Sequence, residues 1–396
     1  MGRNRPKHHN ALIVCTPGLE EVVLEELAEL GVKTATRDGK GAVIATLSTR
    51  ELYAANALLR SATRILVRAF SFRADTFAGL ESEIQRLDWS PYVSDQPLRF
   101  HVSSHASALY HTKAIQERLQ RWVPSGPPSD DALRIVVRAV DDIFTVRVDT
   151  SGDELYRRGW RPESAKMGLR ESVAAAVVRR SGWDQASPLL DPCCGAGTVA
   201  IEAALQAAGA PPHDLQRRGF ALQLWPSFDE RAWDAVEDDV AAKAEAARAA
   251  PSAAPLVFAS DRDAGAVRAA RANARRAGVA DRIEFRQEPV TEAGARAAET
   301  AAAAFLPGGY AGTLATNLPW GLRSAEGAGR ADLRNLYSAV GNVARRSLPR
   351  WGVAVLVANR ALARNVAPKM KSALSMEVSG VKSWLMTTAR RAKLAE

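Results

Sequence analysis

At 396 residues and 47% hydrophobic composition, the chain is large enough for more than one packed core, and no charge-free apolar run reaches the roughly 18 residues of a membrane span. Its net charge of +9 favours a polyanionic partner. The excess is spread out, with 24 basic against 21 acidic residues up to Arg170 and 29 against 23 after it, so it locates no binding face. Three cysteines, two of them adjacent (Cys193, Cys194), support neither a disulfide framework nor a zinc site and point to the reducing cytoplasm.

The first ten residues are basic and polar, and the apolar run Ala11–Cys15 is too short for a secretory leader, so it reads as a buried strand. Leu19–Leu30 carries Leu19, Val22, Val23, Leu27 and Leu30 on one helical stripe, stopped by Gly31. A strand over Gly41–Leu47 and a helix over Thr49–Arg60 complete a strand–helix–strand pattern that suits a small α+β domain. Arg64–Phe72 alternates apolar and basic residues. Leu80–Leu87 reads as helix, Leu98–Val102 as strand, Ala106–Trp122 as helix, Pro124–Asp131 as a loop, and Leu133–Ala139 and Ile143–Asp149 as strands.

Between Asp149 and Leu169 the patterning thins, and the main boundary belongs there. A helix over Arg170–Arg180 follows. Strands then alternate with helices: Pro188–Asp191, Leu256–Asp261, Ile283–Gln287, Gly312–Asn317, Val353–Asn359 and a last segment around Trp384–Thr388. Such alternation predicts an α/β fold with a doubly wound parallel sheet. The Ala-rich stretches Ala241–Ala254 and Glu292–Ala304 read as solvated helix.

Three strand ends carry the chemistry. The first runs Leu189-Leu190-Asp191-Pro192-Cys193-Cys194-Gly195-Ala196-Gly197-Thr198, a strand ending in Asp, a Gly-x-Gly turn and a helix start. Ligands of open α/β sheets bind outside the carboxyl ends of the strands, so this turn faces a site. Gly195 and Gly197 permit close backbone approach. Asp191 is placed to orient the cationic amino group of a bound amino-acid moiety, and Cys193 and Thr198 belong to the same loop. The second strand ends in Asp261, whose carboxylate can accept both hydroxyls of a ribose. Arg262 adjoins it, and Asp263 reads as a helix cap.

The third strand ends in Asn317-Leu318-Pro319-Trp320. An exocyclic base amine is a poor nucleophile because its lone pair is delocalised into the ring. The Asn317 side-chain oxygen and the Leu318 carbonyl can accept its two hydrogens and hold the nitrogen in line with a methyl donor, so positioning carries the rate. Trp320, directly after Pro319, can stack on an extruded base.

Together these motifs resemble the THUMP-domain RNA guanine-N2 methyltransferases, a branch of the class I methyltransferases. The resemblance extends to the opening Thr16-Pro17-Gly18-Leu19-Glu20-Glu21-Val22, to Ala55–Arg64, to Asp149-Thr150-Ser151-Gly152 with Tyr156–Arg161, and to the helix start Leu169–Ala176. It implies an N-terminal ferredoxin-like domain (1–68), a THUMP RNA-binding domain (69–155), a linker (156–169) and a Rossmann-like methyltransferase domain (170–396). It further implies S-adenosyl-L-methionine as cofactor, held by Asp191, Gly195, Gly197 and Asp261, with Asn317, Pro319 and Trp320 at the target amine. Two positions depart from the family pattern. Gln287-Glu288-Pro289 stands where an adenine-contacting Asp is usual, which makes Glu288 the substitute, and Met167-Gly168 replaces an Ala-Pro pair. The fused second methyltransferase of some relatives is not expected.

The partner expected from this resemblance is structured RNA, rRNA or tRNA, with no membrane and no metal; oligomeric state is open, with a monomer favoured. Candidate phosphate contacts are Arg99, Lys113, Arg121, Arg157, Arg158 and Arg161, with His101, His105 and Arg134 beside them. The last three arginines of the first group lead because they precede the catalytic domain. Two other readings stay open: a DNA base amino-methyltransferase, and a non-catalytic RNA-binding protein that retains the fold.

Overall fold

The computed structural model describes residues 6–127, 129–162, 168–215, 218–249, 257–303, 312–321 and 330–388. Pro128, Met167, Leu256 and the segment ends Ala254 and Ala304 lie outside them. The chain forms two compact units, each drawn from separated stretches. One comprises Met1–Cys15, Val23–Leu155 and His213–Val240; the other comprises Thr16–Val22, Tyr156–Pro212 and Ala241–Glu396.

The first unit is built on one seven-stranded sheet. Its elements are β1 (His8–Cys15), α1 (Glu20–Glu29, shared with the other unit), β2 (Thr36–Arg37), β3 (Ala42–Ser48), α2 (Thr49–Leu58), β4 (Ala62–Arg73), α3 (Phe77–Arg86), β5 (Leu98–His105), α4 (Thr112–Trp122), β6 (Leu133–Val140) and β7 (Ile143–Asp149). The strand order is β2-β3-β1-β4-β7-β6-β5. Residue 68, the expected domain boundary, falls inside β4, which pairs with β1 through its first half and with β7 through its second. Burial alternates along the strands, so one face is continuous core: Ala11 and Ile13, Val43 and Ala45, Ile65 and Val67, Val146 and Val148, Ile135 and Val137, and Phe100. The other face is mixed, with Leu12, Val14, Ile44, Leu66 and Val136 among polar residues such as Asn10, Arg68, Arg147 and Arg138.

Local chemistry sets the helix ends. Ser48 and Glu51 form a reciprocal capping box at α2, with the Ser48 amide donating to Glu51 Oε2 at 2.7 Å. The helix expected over Ala106–Trp122 begins only at Thr112. Ala106 sits at φ +48, Asp142 accepts the Ala108 amide at 2.7 Å, and Ser104 Oγ donates to the Leu109 carbonyl at 2.7 Å, so 106–111 is spent on a turn.

Two segments singled out in the sequence are bonded to each other. Buried Asn56 accepts from Ser151 Oγ at 2.8 Å and from Thr150 Oγ1 at 3.1 Å. Arg64 pairs with Asp149 and donates to the Gly152 carbonyl, and the Ile65 amide donates to Ser151 Oγ at 2.9 Å. This network pins the end of β7 to β4.

The second unit holds α5 (Glu171–Arg180), β8 (Leu189–Asp191), α6 (Thr198–Ala207), the end of α7 (Glu230–Ala249), β9 (Val257–Asp261), α8 (Ala264–Arg276), β10 (Ile283–Gln287), α9 (Val290–Ala303), β11 (Gly312–Asn317), α10 (Arg330–Arg346), β12 (Trp351–Val357), α11 (Arg360–Val366), β13 (Lys371–Val378) and β14 (Val381–Thr387). The order β10-β9-β8-β11-β12-β14-β13 is that of a doubly wound Rossmann-like sheet. Its first five strands are parallel, as expected. The edge is not: β14 runs antiparallel to β12, and β13, which no sequence pattern marks, forms a hairpin with it. Ser379 and Gly380 turn that hairpin with φ of +51 and +78, the paired left-handed conformation of a tight turn. Under one face of the sheet, α9, α10 and α11 close a core around Leu190, Leu314, Tyr337, Val340, Val355 and Val366. α5, α6 and α8 form the other layer.

Gly18 explains part of the opening motif. Its φ is +101, and a Cβ there would lie 2.0 Å from the Ser375 carbonyl oxygen, while the Glu377 amide donates to the Pro17 carbonyl at 2.9 Å. Gly341 plays the same close-approach part between helices, since a Cβ would meet the Asn365 and Val366 carbonyls at 2.5 Å. Gly341→Ala should therefore lower stability by about 1–3 kcal/mol through overpacking, measured as a lower denaturation midpoint.

Candidate active site

Asp261, Asp191 and Asn317 end β9, β8 and β11, which are neighbours in that order and parallel. Ala259 is level with Asp191, and Leu314 is level with Leu190, so Asp261 and Asn317 each project about two residues beyond Asp191. Three side chains far apart in sequence thus share one carboxyl edge within the span of adjacent strands, about 5 Å apart.

Asp191 is the buried centre of this edge, 1% exposed. Burial pushes its carboxyl up to about 7, against the opposing effect of a hydrogen bond from Thr316. Thr316 Oγ1 donates to Asp191 Oδ1 at 2.6 Å, and Thr316 is itself fully buried. No cationic side chain among the described residues pairs with Asp191. A buried carboxylate without a cation favours either a proton or a cationic ligand.

The glycine turn is held from several sides. The Asp261 carboxylate accepts the Gly195 amide through Oδ2 and the Asp263 amide through Oδ1, each at 3.0 Å. Each oxygen keeps a further lone pair for a hydroxyl donor. Asn273, buried on α8, donates to the Ala196 carbonyl at 2.9 Å. Gly195 (φ +51) faces open space, as a ligand-approach position should, but Gly197 does not. A Cβ at Gly197 (φ +84) would lie 2.9 Å from Ala270 Cβ, so its missing side chain serves the packing of the loop on α8. Thr198 opens α6 and is buried, and Asp263 caps α8 through the Ala266 amide. The Cys193 thiol is pushed above its usual range by burial and by Asp191 and Asp261.

At the third strand end, Asn317 Oδ1 is buried and has no hydrogen-bond partner among the described residues. The Leu318 amide donates to the Leu356 carbonyl at 3.2 Å, and Leu318 is wholly buried. Pro319 is exposed, and Trp320 is half-buried with its Nε1 unpartnered among the described residues. Tyr337, fully buried on α10, donates its hydroxyl to the Pro319 carbonyl at 3.2 Å; burial raises its phenol above the usual range. Thr316, Asn273 and Tyr337 are not identified by sequence reasoning. Only Thr316 carries a signal, its adjacency to Asn317.

Arg262 is exposed beside Asp261. Glu288 pairs with Arg296 of α9, so its carboxylate already has a cationic partner.

Two of the leading RNA candidates are corrected. Arg158 and Glu202 form an ion pair at 3.1 Å with both side chains 0% exposed. Arg161 pairs with Glu171 at 3.1 Å and donates to the Leu169 carbonyl. Drawing either guanidinium out to a phosphate would strand a buried carboxylate. Arg157, Arg99, Lys113 and Arg121 are exposed.

A family model described as UPF0020, RMKL-like, methyltransferase domain, matches residues 158–383. The chain belongs to this family. A second model, the RlmL ferredoxin-like domain, matches residues 10–66. The methyltransferase is S-adenosylmethionine-dependent. Among solved structures, a predicted N6-adenine-specific DNA methylase from Listeria monocytogenes is similar at 26% identity and a TM-score of 0.79, covering 96% of each chain. SMU.472, assigned as a methyltransferase and complexed with SAH, is similar at 26% identity and a TM-score of 0.79, covering 96% of this chain and 98% of its own. TrmN from Thermus thermophilus shares the fold at 21% identity and a TM-score of 0.65, covering 96% of this chain and 98% of its own.

The residues present fit S-adenosylmethionine: a buried carboxylate lacking a cation, open space over Gly195, and a carboxylate at the end of the next strand. Because the folded pKa of Asp191 is raised from an unfolded value of about 3.9, its contribution to stability is present at low pH and is lost as pH rises through about 7. Asp191→Asn should remove that loss. The variant should gain stability relative to wild type between pH 4 and 8, by up to roughly 4 kcal/mol, in urea titrations of the ligand-free protein.

Proposed function

We propose that the chain transfers the methyl group of S-adenosyl-L-methionine to the exocyclic N2 amine of a guanosine in structured RNA, rRNA or tRNA, in the cytoplasm. The observation that carries this reading is the buried Asn317 Oδ1, unpartnered among the described residues, beside the strand that carries the cofactor loop. A buried acceptor at that edge suits an amine N–H.

Asp191 holds the amino-acid end of the cofactor through its ammonium, and Asp261 its ribose hydroxyls. The cofactor supplies a methyl group on a positively charged sulfur. Asn317 Oδ1 and the Leu318 carbonyl accept the two amine hydrogens, turn the nitrogen lone pair toward the methyl group and raise its electron density. Trp320 stacks on the base, and Tyr337 steadies the turn through the Pro319 carbonyl. The new N–C bond forms as the S–C bond of the donor breaks to leave a neutral thioether, the methylated nitrogen then gives its extra proton to water, and positioning supplies most of the acceleration.

RNA as substrate is supported by the net charge of +9 and by the ferredoxin-like module matched to RlmL. In the same reading, residues 69–155 form the THUMP module and residues 170–396, apart from His213–Val240, which belongs to the first unit, the catalytic domain. The competing reading is a base amine in DNA, the substrate named for the Listeria monocytogenes neighbour.

Nucleoside mass spectrometry of rRNA, tRNA and genomic DNA from a deletion strain separates these. Loss of N2-methylguanosine from one RNA is expected; loss of N6-methyladenine from DNA would replace the proposal. For the mechanism, Asn317→Ala should slow transfer by about a hundredfold or more while S-adenosylhomocysteine binding, followed by calorimetry, is retained. Full activity in that variant would remove Asn317 from the reaction.

A further inference from the structure

The face of the first unit's sheet opposite its continuous core carries arginines where strand pairing makes them costly. Arg68 on β4 stands directly opposite Arg147 on β7. Arg99 on β5 stands directly opposite Arg134 on β6. Arg138, two pleats along β6 from Arg134, points to the same side and is level with Thr145 and Ser103. Like charges directly across a sheet destabilise it, and a protein that needed only solubility would intersperse both signs.

The face offers these arginines little compensation. None of Arg68, Arg134, Arg138 and Arg147 has an ion-pair partner among the described residues. Asp149, on the same face, is buried and taken by Arg64. Arg68, Arg99 and Arg138 are exposed, and Arg134 and Arg147 are partly so. The proton affinity of Arg147 is lowered by partial burial and by Arg68 and Arg138, with Asp38 opposing. That of Arg134 is lowered by partial burial and by Arg64 and Arg99, with Asp149 and Glu154 opposing. The guanidinium groups are therefore near enough to repel one another. Four adjacent strands carry the stripe, which makes it about 15 Å wide.

We infer that this arginine stripe, Arg68, Arg147, Arg138, Arg134 and Arg99, is the docking surface for the phosphodiester backbone of the RNA substrate. The inference rests on the RNA reading above and gives it a location. Guanidinium forks match phosphate oxygens bidentately, and a bound polyanion relieves the repulsion that the free sheet carries. Thr145, Ser103 and His101 supply neutral contacts between the charges; His101 is held below its ordinary value by partial burial and by Arg134, Arg99 and Arg64, so it adds no positive charge near neutral pH. Contacts of this kind position RNA without reading its sequence.

The test is fluorescence anisotropy of end-labelled bulk tRNA, and separately of rRNA fragments, on the full chain across a salt series. The triple variant Arg68→Gln, Arg138→Gln, Arg147→Gln should bind more weakly at every salt concentration. Its plot of log affinity against log salt should be shallower by about 2–3, one for each phosphate that the variant leaves unneutralised. Arg86→Gln on α3, in the helical layer, should leave the slope unchanged. Circular dichroism with a thermal denaturation midpoint reports that each variant is folded, and if the triple variant is not, Arg138→Gln alone should reduce the slope by about 1. Wild type that binds RNA with a slope unchanged in the variants overturns this surface and leaves the proposed function standing. Wild type that binds no RNA, or prefers anionic lipid vesicles, overturns the RNA reading itself.

Discussion

The hydrogen bond from Thr316 to Asp191 joins the two strands on which the chemistry depends. It crosses from β11 to β8 at 2.6 Å between fully buried side chains, one residue before Asn317. Parallel strands bring their carboxyl ends to one edge, but pleating leaves their relative heights loosely set at the last residues. A short bond in a dry environment removes that freedom. It also keeps an oxygen of Asp191 occupied from the protein side, so that the rest of the carboxylate is left for a cation. Desolvation would otherwise protonate this group near neutrality, and the arrangement therefore ties cofactor charge to the state of a buried acid.

Around that bond the loop is fixed by long-range backbone contacts. Asp261 bonds the Gly195 and Asp263 amides, Asn273 takes the Ala196 carbonyl, and Tyr337 takes the Pro319 carbonyl. Each of these side chains satisfies a backbone group that a turn cannot satisfy internally. The turn residues can then stay small, and Gly195 keeps open space on its outer side. The supports of the site come from helices and strand ends of the sheet, the placement that fixes a site's geometry.

Much of this is legible in the sequence wherever a local rule suffices. Apolar runs ending in Asp191, Asp261 and Asn317 declare strands with polar carboxyl ends, and the alternation of strands with helices implies the sheet that aligns them. What stays hidden depends on pairs distant in sequence. Asn273 and Tyr337 sit inside amphipathic helices, where nothing distinguishes a polar tip that supports a loop from one that meets solvent. β13 escapes the pattern because Lys371, Ser372 and Ser375 dilute its alternation, although Leu374, Met376 and Val378 are its buried half. The helix at Thr112 begins late because Asp142, thirty-four residues away, takes the Ala108 amide.

The misplacement of Arg158 and Arg161 has a more general cause. Position along the chain next to a catalytic domain says nothing about whether a charge is already neutralised. Glu202 and Glu171, on α6 and α5, neutralise these two arginines inside the unit, and a pair so formed adds nothing to the field outside. Internal pairs cancel in the count of charge, so the excess of +9 resides on arginines and lysines without such partners. Arg68, Arg134, Arg138 and Arg147 are of that kind. Three of these four arginines pack into the short alternating stretches Leu133–Val140 and Ile143–Asp149, where the same period that buries valine on one face sets arginine on the other. A pattern that reads as an ordinary half-buried strand in one dimension becomes, once four such strands are paired, a stripe of positive charge.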